Sequence, residues 1–298
     1  MTQMIQFLGS EAITSYQDAR VVILPIPYEA TTTYRKGCEN GPQAILDASW
    51  QLEAYDEELA HQACHEVGIY TLEPIADTRI NPRLDAEEML SQTSSKVKEL
   101  LIDGKYIIAL GGEHAITTGL VKAYQEFYQE SFTVVQIDAH GDMRFEYEGS
   151  KHNHACVMRR VVELGLPTLP VAIRSICQEE ANLIKEKQIP VIWDRHIDSD
   201  PDWIEKAIAQ IKTQKVFLTI DVDGIDPSLI PGVGTPEPGG LTWNMTLRFL
   251  KRLYEKFEVI GCDVMELAPI ADSVVSEFTT AKLVYKLIGY QCLTQNWF

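Results

Sequence analysis

The stretches VVQIDAHGD, residues 134–142, and VFLTIDVDGID, residues 216–226, decide the fold of this chain. Each begins with a short apolar run that is typical of a buried strand, and each continues with acids or a histidine at alternate positions. Side chains at alternate positions of extended backbone point the same way. Each stretch therefore predicts a buried strand whose carboxyl end carries a row of polar side chains.

Short apolar runs alternate with amphipathic stretches over most of the chain, which indicates repeated βα units. The predicted strands are 20–24, 106–110, 132–137, 169–173, 190–193, 216–220 and 259–264. The predicted helices are 85–101, 115–128, 154–164, 179–187, 202–213, 244–257 and 272–288. The alternation predicts an α/β fold with a mostly parallel sheet covered by helices on both faces, in a single domain over 1–298. The strand count does not clearly reach eight βα units, which favours an open sheet over a closed barrel.

The net charge and composition limit the kinds of molecule that this protein could bind. The formal net charge is −17, which argues against nucleic acid, because phosphate binding needs a basic surface. The charge fits a small cationic substrate, although acidic surfaces also simply keep proteins in solution. We expect no membrane span and no signal peptide, because the chain lacks the apolar runs that either would need. The six cysteines form no CxxC pair, so we expect a reduced, cytoplasmic protein.

Candidate chemical residues follow several predicted strands, at the edge where open α/β sheets bind ligands. The acids and histidines of this set are His114, Asp138, His140, Asp142, Asp221 and Asp223. Buried carboxylates without compensation are very costly, so the set predicts cations. Two divalent ions would balance the charge of the aspartates, while neutral imidazoles add ligands without adding charge. Oxygen ligands with some imidazole and no thiolate suit two Mn²⁺, with Ni²⁺, Co²⁺ or Zn²⁺ as alternatives.

A pair of metal ions at such a site indicates that the protein is a hydrolase. Ions about 3.5–4 Å apart can share a water and ionise it near neutral pH. A single DxD or HxD is common in solvated loops, whereas two such runs together with GGEH, each after an apolar strand, favour a metal site.

At these residues the chain resembles the ureohydrolase family of arginases and agmatinases, and the resemblance covers nearly its full length. The matching motifs are PIPYEATTTYRKGCENGPQAI, GGEHAIT, QIDAHGDMR, HNHACVMRR and IDVDGIDPSLIPGVGTPEPGGLT. The family fold is a three-layer α/β/α domain around a parallel sheet, in agreement with the pattern. The resemblance also implies a homo-oligomer, either a trimer or a hexamer.

The resemblance implies a role for each candidate residue. One metal ion would be bound by His114, Asp138, Asp142 and Asp221. The other would be bound by Asp138, His140, Asp221 and Asp223, so that Asp138 and Asp221 bridge the two ions. His154 matches the proton-transferring histidine of the family, and Glu266 matches the carboxylate that receives the substrate guanidinium. Taken alone, His154 could be a surface loop residue, and Glu266 could pair with a structural arginine. Thr219 stands where serine is more common.

The same motifs bear on the substrate. Arginases hold the amino-acid end of arginine with an Asn after the DAHxD motif and an acid after a GLRD-like strand end. In this chain Arg144 stands where that Asn is expected, and Ser175 and Cys177 stand where the acid is expected. This difference favours agmatine, hydrolysed to putrescine and urea in polyamine biosynthesis. Arg144 could instead bind a carboxylate at the far end of guanidinobutyrate, and guanidine and arginine stay open as well.

Two other classes of protein stay open. A non-catalytic metal-binding homologue is disfavoured, because all six ligand positions, His154 and Glu266 are present. A two-metal phosphoesterase also needs clustered Asp and His, but the chain lacks an evident Lys-rich or Arg-rich phosphate cradle.

Overall fold

A computed structural model describes residues 6–12 and 14–298, and one eight-stranded sheet runs through this part of the chain. The strands are β1 (Val21–Ile26), β2 (Ile69–Thr71), β3 (Tyr106–Gly111), β4 (Thr133–Ile137), β5 (Thr168–Ile173), β6 (Ile192–Trp193), β7 (Lys215–Asp221) and β8 (Glu258–Met265). They lie in the order β2-β1-β3-β8-β7-β4-β5-β6, and their pairings are parallel. The predicted parallel sheet is confirmed.

Seven of these strands lie where the sequence predicts them, and β2 is the exception. It has three residues and lies at the edge of the sheet beside β1. Such a short run does not stand out from a loop in the sequence pattern. β2 and β6 form the two ends of the sheet, so eight strands make an open sheet here and not a barrel.

The helices of the described chain are α1 (Gly41–Ser49), α2 (Ala63–Val67), α3 (Ala86–Ile102), α4 (Thr117–Tyr128), α5 (Val157–Glu163), α6 (Gln178–Lys187), α7 (Asp194–Ile197), α8 (Trp203–Ile208), α9 (Trp243–Lys256) and α10 (Val275–Thr294). The sequence pattern does not predict α1, α2 and α7. α2 and α7 are short, and α1 begins with a Gly-Pro pair, which is typical of a loop but is tolerated in a first helical turn. The predicted helix 202–213 is shorter in the structure. Its counterpart α8 ends at Ile208, because the chain then turns to enter β7.

The two faces of the sheet carry separate apolar cores. Along β1, Val21 and Ile23 belong to one core, while Val22 and Leu24 belong to the other. This alternation arises because successive side chains of a strand point to opposite faces. Residues of α9 and α10 contribute to the first core, and residues of α3 and α4 contribute to the second. The predicted three layers are confirmed. Among the helices that the structure describes, none has the length and apolarity needed to cross a bilayer.

The predicted site residues follow four strands that are neighbours at the centre of the sheet, in the order β3-β8-β7-β4. His114 follows β3, Glu266 follows β8, Asp221 ends β7 and Asp138 follows β4. Because these strands are parallel, their carboxyl ends lie at one edge. The strand order therefore brings together residues that are far apart in sequence.

Gly224 allows two of these strand ends to approach each other. A Cβ atom added at this position would lie 2.6 Å from the backbone nitrogen of Asp138. Real Cβ atoms do not come so near to backbone, so any other residue would push the end of β7 away from the end of β4.

We predict that Gly224→Ala lowers the free energy of unfolding by about 1–3 kcal/mol, because a methyl group forced into packed backbone separates the strands. Urea denaturation measures the change. The control is Gly234→Ala, where the added Cβ would meet only the carbonyl oxygen of Arg35, at 3.1 Å. An equal loss in both variants would contradict the argument.

Candidate active site

The first group of site residues surrounds the imidazole of His114. Its Nδ1 atom lies 3.1 Å from Asp138 Oδ2, 3.3 Å from Asp142 Oδ2 and 3.4 Å from Asp221 Oδ2. Nδ1 is buried and makes no hydrogen bond with any of them. The oxygens thus surround the nitrogen without accepting from it, as the ligands of a shared cation do.

The second group contains His140 and shares Asp138 with the first. His140 Nδ1 lies 2.9 Å from Asp223 Oδ2 and 3.6 Å from Asp138 Oδ1. Asp138 therefore turns one oxygen toward each histidine. Asp223 Oδ1 accepts the N–H of Ala139 at 3.0 Å, which ties the end of β7 to the end of β4. The six predicted ligands lie together, joined through Asp138.

Asp221 lies at the margin of both groups. Two groups of possible ligand atoms lie close together, and neither contains Asp221. One group is His114, Asp138 and Asp142, and the other is Asp138, His140 and Asp223. Asp221 Oδ1 accepts the N–H of Asp223 at 2.9 Å, while Oδ2 faces His114. Asp138 thus has the geometry of a shared ligand, and the bridging role of Asp221 stays a prediction.

The four aspartates of the site are buried beside the imidazoles of His114 and His140. Among the described residues, the ion-pair partners of these four aspartates are histidines and not Lys or Arg. Burial, reinforced by the charge of Asp138, raises the pKa of Asp142 to about 6. Burial and the neighbouring carboxylates also raise the pKa of Asp221 well above its ordinary value. Such a set requires positive charge, so it could hold divalent metal ions.

A chain of side chains behind His114 orients its ring. Thr219 Oγ1 donates to Asp263 Oδ1 at 2.6 Å and lies 2.8 Å from His114 Nε2. Because its own proton goes to the carboxylate, the hydroxyl accepts the proton of Nε2, and Nδ1 is left to face the aspartates. Thr117 donates to the other oxygen of Asp263 at 2.9 Å. Sequence reasoning missed Asp263, although an acid inside the apolar strand β8 was a signal.

We predict that Thr219→Val weakens metal binding about 10–100-fold, because the ring of His114 loses its partner. Thr219→Ser keeps the hydroxyl and serves as the matched control, with affinity near that of the unmodified protein. Competition with a chelator of known affinity measures both. Equal affinities for the Val and Ser variants would show that the hydroxyl does not orient the ligand.

Glu266 and His154 lie beside the metal-ligand groups. Glu266 is 6% exposed, and its Oε1 atom accepts the backbone N–H of His114 at 2.7 Å. His154 Nδ1 lies 3.5 Å from the same oxygen. Glu266 has a φ of +67° and Asp142 a φ of +52°, both in the left-handed region that is unfavourable for residues other than glycine. Strained backbone of this kind is concentrated at functional sites, where it aims a side chain.

One cavity of about 250 Å³ is lined by Glu266, His154 and Asp142, together with Arg144, Tyr147 and Glu180. The guanidinium of Arg144 lies 4.5 Å from the centre of the Tyr147 ring. Glu180 is buried, and its carboxylate accepts the backbone N–H groups of Met143 at 2.8 Å and Cys177 at 2.6 Å. Sequence reasoning missed Glu180. A larger cavity of about 680 Å³, between α3, α4 and α5, contains none of the predicted site residues.

Comparison with known proteins identifies the family of this chain. The model of the arginase family matches residues 19–289, so the chain belongs to the arginase family. It is 65% identical, over 96% of its length and 93% of the relative, to the N(1)-aminopropylagmatine ureohydrolase of Synechocystis. It is 33% identical to the agmatinase of Pyrococcus horikoshii over 92% of both chains. The solved agmatine ureohydrolase of Thermoplasma volcanium superposes with a TM-score of 0.84 at 31% identity, covering 98% of this chain and 95% of that one.

The predicted family is therefore confirmed, as is the predicted class of enzyme, an agmatinase-like ureohydrolase. The more specific prediction, that the substrate is agmatine, is not confirmed, because these relatives act on two different compounds by name.

Proposed function

We propose that this chain hydrolyses the guanidino group of N1-aminopropylagmatine, giving urea and spermidine, at a pair of metal ions. The observation that carries the proposal is the joining of two His/Asp groups through Asp138, with Glu266 and His154 beside them. The choice of substrate is supported by 65% identity to the Synechocystis enzyme of that name. Agmatine, which the sequence motifs favour, lacks only the aminopropyl group and is the second candidate. The likeness to the P. horikoshii agmatinase supports it.

The donor set fits the metal ions that the proposal requires. We propose Mn²⁺ as the ion, with Ni²⁺ as the alternative, because carboxylates and imidazoles without thiolates suit both. The ligands would be His114, Asp138, Asp142 and Asp221 for one ion and Asp138, His140, Asp221 and Asp223 for the other. When bound, two such ions supply an ionised water as the nucleophile near neutral pH.

Glu266 is suited to hold the substrate guanidinium. A guanidinium stays protonated in water, and a carboxylate can bind it in a planar, bidentate pair. The hydrogen bond from the backbone of His114 fixes the carboxylate of Glu266 at the wall of the cavity. The reacting carbon would thereby lie against the metal-ligand groups.

His154 is suited to protonate the leaving amine. Burial lowers the pKa of its imidazole, but the hydrogen bond and charge of Glu266 outweigh burial and raise this pKa to about 9. The ring is therefore protonated at neutral pH. Its Nδ1 faces Glu266, while its Nε2 makes no hydrogen bond with the described residues. The protonated ring therefore lies beside the carboxylate that would hold the guanidinium, where it can donate to the leaving nitrogen.

Acids in the segment 144–150 support the choice of the more cationic substrate. N1-aminopropylagmatine carries two ammonium groups besides its guanidinium, whereas agmatine carries one. The segment 144–150 contributes Arg144 and Tyr147 to the cavity and also carries the exposed acids Glu146 and Glu148. Together with the net charge of −17, these acids favour a polycation over the anionic end of guanidinobutyrate.

Urea release by the Mn²⁺-loaded protein tests the substrate, measured as kcat/KM for five compounds. They are N1-aminopropylagmatine, agmatine, guanidinobutyrate, guanidine and arginine. We predict that the first exceeds every other by at least about tenfold, a difference in transition-state binding of about 1.4 kcal/mol. Asp138→Asn, which loses the shared ligand, is the inactive control. A preference for agmatine would support the second candidate. Metal uptake without urea from any compound would favour a non-catalytic protein.

The pH dependence of kcat/KM tests the role of His154. We predict an alkaline limb between about 6.5, the ordinary imidazole value, and about 9, because loss of the proton removes the general acid and bound metal offsets part of the carboxylate field. His154→Ala should have a lower rate and lack this limb. His152→Ala, at the other histidine of HNH, should keep it. An unchanged limb in His154→Ala would exclude His154 as its source.

A further inference from the structure

Glu113 is a buried carboxylate to which the proposed reaction gives no role. Its side chain is 0% exposed. One oxygen accepts the backbone N–H groups of Ala30 and Thr31, each at 2.6 Å, and the other accepts the hydroxyl of Thr31 at 2.7 Å. Among the described residues its hydrogen-bond donors are these neutral groups, and not a Lys or Arg. Glu113 therefore fixes the segment around Thr31 from behind the site.

Thr31 connects this carboxylate to the turn that carries His154. Its hydroxyl accepts the backbone N–H of His154 at 2.9 Å, and its carbonyl oxygen accepts the side-chain amide of Asn153 at 3.2 Å. Asn153 in turn accepts the N–H of Ala155 at 3.0 Å, which caps the 3-10 turn His154–Cys156. Thr31 thus binds the start of this turn at two points, while its own backbone N–H donates to Glu113.

The direction of these hydrogen bonds follows from chemistry. The hydroxyl of Thr31 has one proton, and the backbone N–H of His154 can only donate. The hydroxyl therefore gives its proton to Glu113 and accepts from His154. The residue after Glu113 is His114, whose own N–H donates to Glu266. A closed circuit of contacts therefore relates the position of His154 to that of Glu266.

We propose that Thr31, held by Glu113, is a positioning residue that sets the distance of the His154 imidazole from the substrate nitrogen bound at Glu266. The proposal rests on the proposed function, in which His154 donates the proton to the leaving amine. Misplacement of a catalytic group by about 1 Å can lower the rate about 100-fold. A residue that only stabilised the fold would change the amount of folded protein and not the proton-transfer step.

The test compares Thr31→Val, which keeps the shape but removes the hydroxyl, with Thr31→Ser, which keeps the hydroxyl. We expect kcat for N1-aminopropylagmatine to fall about 10–100-fold in the Val variant, with KM within about threefold and metal content unchanged. The Ser variant should recover most of the rate. The matched control is Thr32→Val in the same segment, where the lost hydroxyl pairs with Glu29 at 2.6 Å and not with the turn of His154.

A second substrate isolates the proton-transfer step. In the alkoxyguanidine analogue, an oxygen replaces the carbon next to the guanidino nitrogen, so the leaving alkoxyamine is weakly basic and needs little protonation. The defect of Thr31→Val should shrink at least about fivefold with this analogue, if proton donation from His154 is what it impairs. An equal defect with both substrates, or equal rates for the Val and Ser variants, would overturn the proposal.

Imidazole ¹⁵N NMR of the Zn²⁺-loaded protein separates this proposal from the proposed function. The signal of His154 is assigned by its loss in His154→Ala. It should move in Thr31→Val and stay in place in Thr31→Ser and Thr32→Val. Unchanged signals in all three variants would overturn the positioning role. If the unmodified protein releases urea from neither substrate, the proposed function fails, and the NMR result still decides whether Thr31 positions His154.

Discussion

The structure depends on the burial of four aspartates at one edge of a parallel sheet, with histidines and no Lys or Arg as their ion-pair partners in the described chain. A lone buried carboxylate is unfavourable by several kcal/mol, so this group can persist only with protons or cations among its oxygens. The raised pKa of Asp142, about 6, reflects that constraint. Metal ions would satisfy it, and in doing so they would supply the chemistry of a hydrolase.

The rest of the fold holds these charges close together. Gly224 lets the ends of β4 and β7 approach, and left-handed backbone at Asp142 and Glu266 aims both carboxylates inward. Such backbone is unfavourable by about 1–3 kcal/mol at each residue. The two apolar cores on either face of the sheet offset this strain, because each buries apolar side chains of the central strands.

The groups that would act on the substrate are positioned by contacts between distant segments. His114 is oriented by Thr219 and Asp263, and its backbone N–H in turn orients Glu266. His154 lies on a turn that is held by Thr31. The segment 144–150 contributes Arg144 and Tyr147 to the same cavity, so it lies where a substrate that extends beyond its guanidino group would make contact.

Much of the fold and the types of ligand could be predicted from sequence, because apolar periodicity and side-chain chemistry are local properties. The pattern indicated seven strands and placed His114, Asp138 and Asp221 at strand ends, while the three-residue β2 was too short to predict. The sequence by itself thus determined the layered parallel sheet and the acidic, histidine-bearing edge. Only the tertiary structure decided the strand order, the pairing of Thr219 with Asp263 across β7 and β8, and the path from Glu113 to His154. These relations join segments far apart in sequence, and such packing leaves no periodic signal along the chain.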